Sequence, residues 1–109
     1  MPGPSNTYPI YLAGEAVTPN TELAVIDKYT GEVASRTALA KAEHIEAAIA
    51  AGHNAIGPMA RLGAYERKAV LRHCVDRFTE RRDELAYALC VEAGKPIGDS
   101  EGEVTRLIE

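Results

Sequence analysis

The chain has 109 residues, room for one domain at most. Sixteen acidic against twelve basic residues give a net charge of −4, and 46% hydrophobic with 26% charged residues describes a globular chain rather than a disordered one. No apolar run approaches the ~18 residues of a membrane helix, Met1–Thr7 lacks the apolar core of a secretion signal, and two cysteines imply no disulfide scaffold, so a cytoplasmic protein without membrane contact is expected.

Residues 1–7, with two prolines and a glycine, read as a flexible lead. From Tyr8 the pattern becomes that of a strand, with Tyr8, Ile10 and Leu12 on one face. Gly14-Glu15 supplies a turn, and Ala16-Val17 begins a short return arm before Thr18-Pro19-Asn20. A second hairpin follows: Leu23–Asp27 is rich in strand formers, Thr30-Gly31 turns the chain, and Glu32–Leu39 runs back.

The remainder is helical. Ile45, Ala48, Ile49, Gly52 and Ile56 form one stripe on a helix of about four turns, which Gly57-Pro58 is expected to stop. A longer helix starts at Gly63, with Glu66 placed to reach back to the capping N–H. Leu71, Val75, Phe78, Leu85 and Leu89 then define its apolar seam, interrupted by Arg82, and Ala93-Gly94-Lys95-Pro96 ends it. A third helix begins near Asp99-Ser100, with Val104, Leu107 and Ile108 on one side and no stop signal after it. The expectation is an α+β piece of two hairpins and two to three helices, cut within its last helix.

The reactive side chains form no recognisable centre. Cys74 and Cys90 fall sixteen residues apart on the long helix, which at ~1.5 Å rise per residue separates them by about 24 Å. They cannot share a metal within one intact helix, and His73 beside Cys74 diverges from it by ~100°. His44 and His53 lie on opposite faces, and no zinc-type spacing occurs. Glu80/Glu84 shares a helix face among arginines and reads as solvated surface; Glu101/Glu103 is the other carboxylate pair. Gly94-Lys95-Pro96 lacks the upstream glycine and following Ser/Thr of a phosphate loop. Between Arg61 and Arg82 seven basic residues (Arg61, Arg67, Lys68, Arg72, Arg77, Arg81, Arg82) face three acidic ones, a local excess of four positive charges. Without interleaved aromatics or a helix-turn-helix signature, this reads as a salt-laced surface or an interface to a missing domain, with spacings that let Arg72/Asp76 and Arg77/Glu80 pair, and no nucleic-acid partner is expected.

In order, these landmarks resemble the N-terminal segment of the aldehyde dehydrogenase superfamily. Tyr11–Val17 is similar to that family's opening hairpin, with Ala16 where an aromatic often stands. Asp27-Lys28-Tyr29-Thr30-Gly31-Glu32-Val33 resembles its N-P-x-T-G-E-x hairpin, Asp27-Lys28 replacing Asn-Pro. An Ala-rich helix, Glu66-Arg67, Arg82–Ala86, Glu92–Ile97 and Gly102-Glu103-Val104-x-Arg106 follow in register, nearest to members acting on small hydroxy-, semi- or phosphorylated aldehydes.

The resemblance implies that a complete member oxidises an aldehyde to an acid with NAD or NADP, through a cysteine nucleophile and an asparagine-lined oxyanion hole. All those residues lie beyond Glu109, so neither Cys74 nor Cys90 inherits the role, and this chain is expected to bind no cofactor and to have no activity alone. The only site residues it implies here are Ile26 and Glu92, whose backbone carbonyls would help hold a monovalent cation with ligands from outside the chain. Its partners would be the remainder of the enzyme and, through exposed apolar helix faces, further copies of itself. The alternative is a self-sufficient, non-catalytic interaction or oligomerisation module in which the stripes pack on each other.

Overall fold

The structure, a computed structural model, describes residues 6–109, so most of the expected flexible lead lies outside the described residues. Five short strands precede four helices: β1 Thr7–Tyr8, β2 Ile10–Leu12, β3 Glu15–Val17, β4 Leu23–Ile26, β5 Val33–Thr37, then α1 Ala42–Arg61, α2 Ala64–Glu80, α3 Arg82–Ala93 and α4 Ile97–Ile108. The two expected hairpins are present, but there are four helices rather than two to three. No helix among the described residues is long and apolar enough to cross a membrane.

Pro9 splits what the alternation presents as one strand. Without an N–H it cannot continue a ladder, and the chain changes sheet there. Before it, Thr7, assigned by composition to the lead, pairs parallel with Arg36 of β5, giving a sheet of order β1-β5-β4. After it, β2 and β3 form a separate antiparallel hairpin. The two residues at its tip are Ala13 and Gly14, not Gly14-Glu15; both take positive φ, at 53° and 83°, the pattern that matches the twist of a tight hairpin.

The second hairpin is built from its own side chains. Asp27 Oδ1 accepts the N–H groups of Tyr29 (2.8 Å) and Thr30 (3.2 Å), Gly31 N–H donates to the Asp27 carbonyl, and Gly31 adopts φ 76°. A register shift beside Ile26 leaves one extra residue on β5, which ends at Thr37 rather than Leu39. Asn20 then ties the incoming loop to the outgoing one, accepting from Leu39 N–H at 2.8 Å and donating to its carbonyl at 3.1 Å.

Three helix boundaries differ from the sequence expectation. Pro58 lies inside α1, which runs on to Arg61. The bond it removes is to the carbonyl of Asn54, an exposed residue of a helix that has no buried residue. The long helix divides at Arg81 (φ −103°, ψ 18°), which caps the end of α2 and the start of α3 and grips Glu84 through two hydrogen bonds of 2.9 and 2.6 Å. Finally, α4 begins at Ile97 with Pro96 as its cap, because Ser100 bonds back to the Pro96 carbonyl through both N–H and hydroxyl. The start of α2 is as the sequence predicts: Gly63 N–H donates to Glu66 Oε2 at 2.7 Å.

What little core exists lies mainly where α3 turns back into α4. Ala86 of α3 and Ser100 and Val104 of α4 are buried, with Ala38 and Ser35 under the sheet. Gly94 makes the corner in the left-handed region at φ 67°, and a β-carbon there would stand 3.0 Å from Lys28 Cβ. Across the corner Glu103 binds Lys95 and, at 2.6 Å, Arg106. The chain exposes 7905 Å², whereas a folded monomer of 11.7 kDa exposes about 5,900 Å². Its radius of gyration of 16.7 Å likewise exceeds the ~13 Å of a compact chain of this length.

Two outcomes follow for stability. Gly94→Ala should cost about 1–2 kcal/mol through αL strain and the Lys28 contact, whereas Gly102→Ala, inside α4 with open space over it, should gain up to about 1 kcal/mol. Urea midpoints of the two variants moving in the same direction would refute this reading. Lys95, and then Arg106, hold the Glu103 carboxyl below the ordinary carboxylate value of 4.5. Because the folded pKa lies below the unfolded one, that contribution is full above pH 4.5 and is lost as pH falls through the folded value. Glu103→Gln should therefore lower the midpoint at neutral pH and flatten its acid slope; an unchanged slope means Glu103 is not the group responsible.

Candidate functional site

The break at Arg81 rearranges the reactive residues. Cys74 lies on α2 and Cys90 on α3, both free and half-buried, so the separation calculated for one intact helix does not apply. Glu80 and Glu84 likewise belong to different helices. Glu80 pairs with Arg77, as the spacing predicts, and Glu84 with Arg81. Each carboxylate is neutralised by its own arginine, which is poor preparation for acid–base work. The Arg81 hydrogen bond holds the Glu84 carboxyl below the usual range, and Glu84 in turn raises Arg81.

The histidines have separate duties. His44 Nδ1 accepts the Lys41 N–H at 2.9 Å, satisfying a donor at the start of α1, while its Nε2 lies 3.9 Å from Glu43. That capping role follows from a polar acceptor three residues into a helix, a signal available in Lys41–His44 but not used. His53 and His73 are exposed. Among the described residues no three His, Cys, Asp or Glu side chains gather as a metal site.

The basic stretch is spread over three helices. Arg67 donates to the Leu62 carbonyl at 2.5 Å, Arg82 binds Thr105 on α4, and Arg72 and Lys68 line an open cavity of about 440 Å³ with Leu71, Val75 and Glu109. Glu101, the companion of Glu103, stays exposed and lends its carbonyl to Thr105.

Ile26 closes β4 and Glu92 stands in the last turn of α3, and Lys28 links these two elements. Lys28 N–H donates to the Val91 carbonyl at 3.0 Å, and Lys28 Nζ donates to the Ile26 carbonyl at 3.0 Å. The positive charge next to the Ile26 carbonyl is thus the chain's own ammonium, placed near a helix C-terminus that favours it. Tyr87 and Val91 of α3 and Asp27 and Thr30 of the turn line a cavity of about 190 Å³ beside this junction.

Two helix starts are occupied by the chain's own side chains: at the head of α2 the Gly63 N–H donates to the Glu66 carboxylate, and at the head of α1 His44 accepts the Lys41 N–H.

The sequence model of the aldehyde dehydrogenase family matches residues 15–109. The chain is 33% identical over 99 residues to 3-sulfolactaldehyde dehydrogenase of Priestia aryabhattai, covering 91% of this chain and 20% of that protein. It superposes on aldehyde dehydrogenase 21 of Physcomitrella patens, solved with the reaction product succinate, with a TM-score of 0.91 at 44% identity, covering 94% of this chain and 22% of that one. Lactaldehyde dehydrogenase of Escherichia coli gives 0.86 at 30% identity, over 94% and 22% of the respective chains. The chain spans about a fifth of the length of the relatives it matches. In sequence and in fold it belongs to the aldehyde dehydrogenase family, whose N-terminal part it reproduces.

Proposed function

We propose that this chain is the N-terminal scaffold segment of an NAD(P)-dependent aldehyde dehydrogenase that oxidises a small polar aldehyde to its carboxylic acid, and that the segment alone is inactive. The observation that carries the proposal is the superposition over 94% of this chain onto 22% of a complete enzyme at 44% identity. Supporting it, Glu66 and His44 cap helices, and Glu80, Glu84 and Glu103 are held in ion pairs. The aldehyde class comes from the relatives, which are named for sulfolactaldehyde, lactaldehyde and succinate semialdehyde, all small and carrying hydroxyl or acid groups. The cofactor, when bound, accepts the hydride; the neighbours solved with NAD or NADP are the reason for expecting one of the two. This segment's task is to position elements of the rest of the enzyme. A monovalent cation on the Ile26 and Glu92 carbonyls, implied by the resemblance, would have to displace Lys28 Nζ from the former.

The excess of exposed surface favours this reading over a self-sufficient module, since the stripes on α1 and α2 do not pack into a common core. The test is an assay of reduced-cofactor formation with lactaldehyde and succinate semialdehyde, with NAD and with NADP. The 109-residue chain should give none, and a polypeptide extended by whatever coding sequence follows Glu109 should give turnover. Turnover by the short chain, or a natural stop codon directly after Glu109, would overturn the proposal.

A further inference from the structure

We infer that Lys28 is a tethered cation: its ammonium occupies the Ile26 carbonyl in place of a free monovalent ion, so the junction of β4 with α3 carries its own positive charge and takes up no K⁺ or Na⁺. The inference rests on reading the chain as part of a longer enzyme, and its test reads stability, so its failure and a failure of the proposed activity are told apart. Lys28 Nζ donates to the Ile26 carbonyl at 3.0 Å, and the Lys28 N–H donates to the Val91 carbonyl at 3.0 Å. Neither bond is open to a proline, which stands at this place in the hairpin that Asp27–Val33 resembles, because proline has no N–H and no side-chain donor. One replacement therefore supplies both the backbone link to α3 and the charge beside β4.

The ammonium stands where a cation is wanted. The last carbonyls of a helix lack N–H partners and carry partial negative charge, yet α3 has no basic residue in its own last turn. Lys28 reaches that end from the hairpin: a β-carbon on Gly94, the cap of α3, would stand 3.0 Å from Lys28 Cβ and 3.4 Å from its Cγ. Among the described residues no carboxylate forms an ion pair with Lys28, which leaves its charge to the carbonyl. Its neighbour Asp27 is engaged elsewhere, Oδ1 accepting the N–H groups of Tyr29 and Thr30. A metal ion sharing the Ile26 oxygen would come within a few ångström of the ammonium, where like charges repel. Lysine and ion therefore exclude each other. The lysine, already held by its backbone bond to Val91, gives up less freedom than an ion drawn from solution.

Thermal unfolding tells the two occupants apart. In the 109-residue chain Lys28→Met, which keeps the stem beside Gly94 and removes the charge, should lower Tm by about 2–5 °C. Lys28→Arg should hold Tm near the wild-type value, with far-UV circular dichroism confirming that each variant keeps its helices. In the polypeptide extended past Glu109, Tm is measured in KCl, NaCl and choline chloride at matched ionic strength, choline being a cation that carbonyl oxygens cannot coordinate. Relative to choline chloride, Lys28→Met should gain at least about 2 °C more from KCl or NaCl than the wild type gains, because the freed carbonyl is open to the ion. Reading the difference between variant and wild type cancels ion effects at other places in the enzyme. Equal gains in the two proteins mean that lysine and ion do not compete, and overturn the inference. So does a Lys28→Met variant of the 109-residue chain that melts with the wild type.

Discussion

Burial of apolar surface is the largest favourable term in folding, and here it is concentrated at one corner. Among the described residues Ala38, Ala86 and Val104 are the buried apolar side chains, two of them no larger than a methyl group, while Ile45, Ile49, Ile56 and Leu71 stand in solvent. Order must therefore come from what surrounds that corner. Gly94 turns α3 into α4, Lys28 lies against it and bonds to Val91, and Glu103 bridges Lys95 and Arg106. Through Lys28 the corner is linked to the Asp27 turn, through the turn to β4 and β5, and through β5 to β1. Loosening the α3–α4 corner frees the sheet from the helices.

The same scarcity explains which sequence expectations hold. Features closed by local hydrogen bonds are legible: the Thr30-Gly31 turn, the Glu66 cap on Gly63, and the left-handed glycine at 94 all depend on a few consecutive residues. Features decided by context are not. Pro58 is read as a stop because a proline removes a helical hydrogen bond, yet here the loss falls on a helix with no buried residue, and the helix runs on to Arg61. The division at Arg81 leaves no proline or glycine to mark it; its trace is the arginine–glutamate pair three residues apart, which resembles any other surface pair until the backbone is seen to bend there. Pro9 is legible as a non-donor, but that it moves the chain from one sheet to another depends on β5, which lies far downstream beyond the second hairpin's turn.

The candidate site follows the same logic. Family resemblance is carried by turns and corners, which the sequence displays openly, and the comparisons bear out the family. Several polar side chains here hold the backbone or pair on the surface: Glu66 caps α2, and Glu80, Glu84 and Glu103 bind arginine or lysine. His44 is the clearest instance. Its Nδ1, a base by nature, accepts a backbone N–H and thereby loses the lone pair that proton transfer would need.

A helix with an apolar seam and no buried residue is unusual for a chain that functions alone, because exposed apolar surface of that extent favours association. The relation between α1 and the rest differs from that between α3 and α4. At the α3–α4 corner small residues face one another and the chain fills its own gap; along α1 isoleucines flank a glycine and the gap stays open. A glycine inside an exposed helix costs stability relative to alanine, with no return from the backbone when its φ is helical. Gly52 in α1 and Gly102 in α4 alike have open space above a helical backbone, so alanine fits at either position.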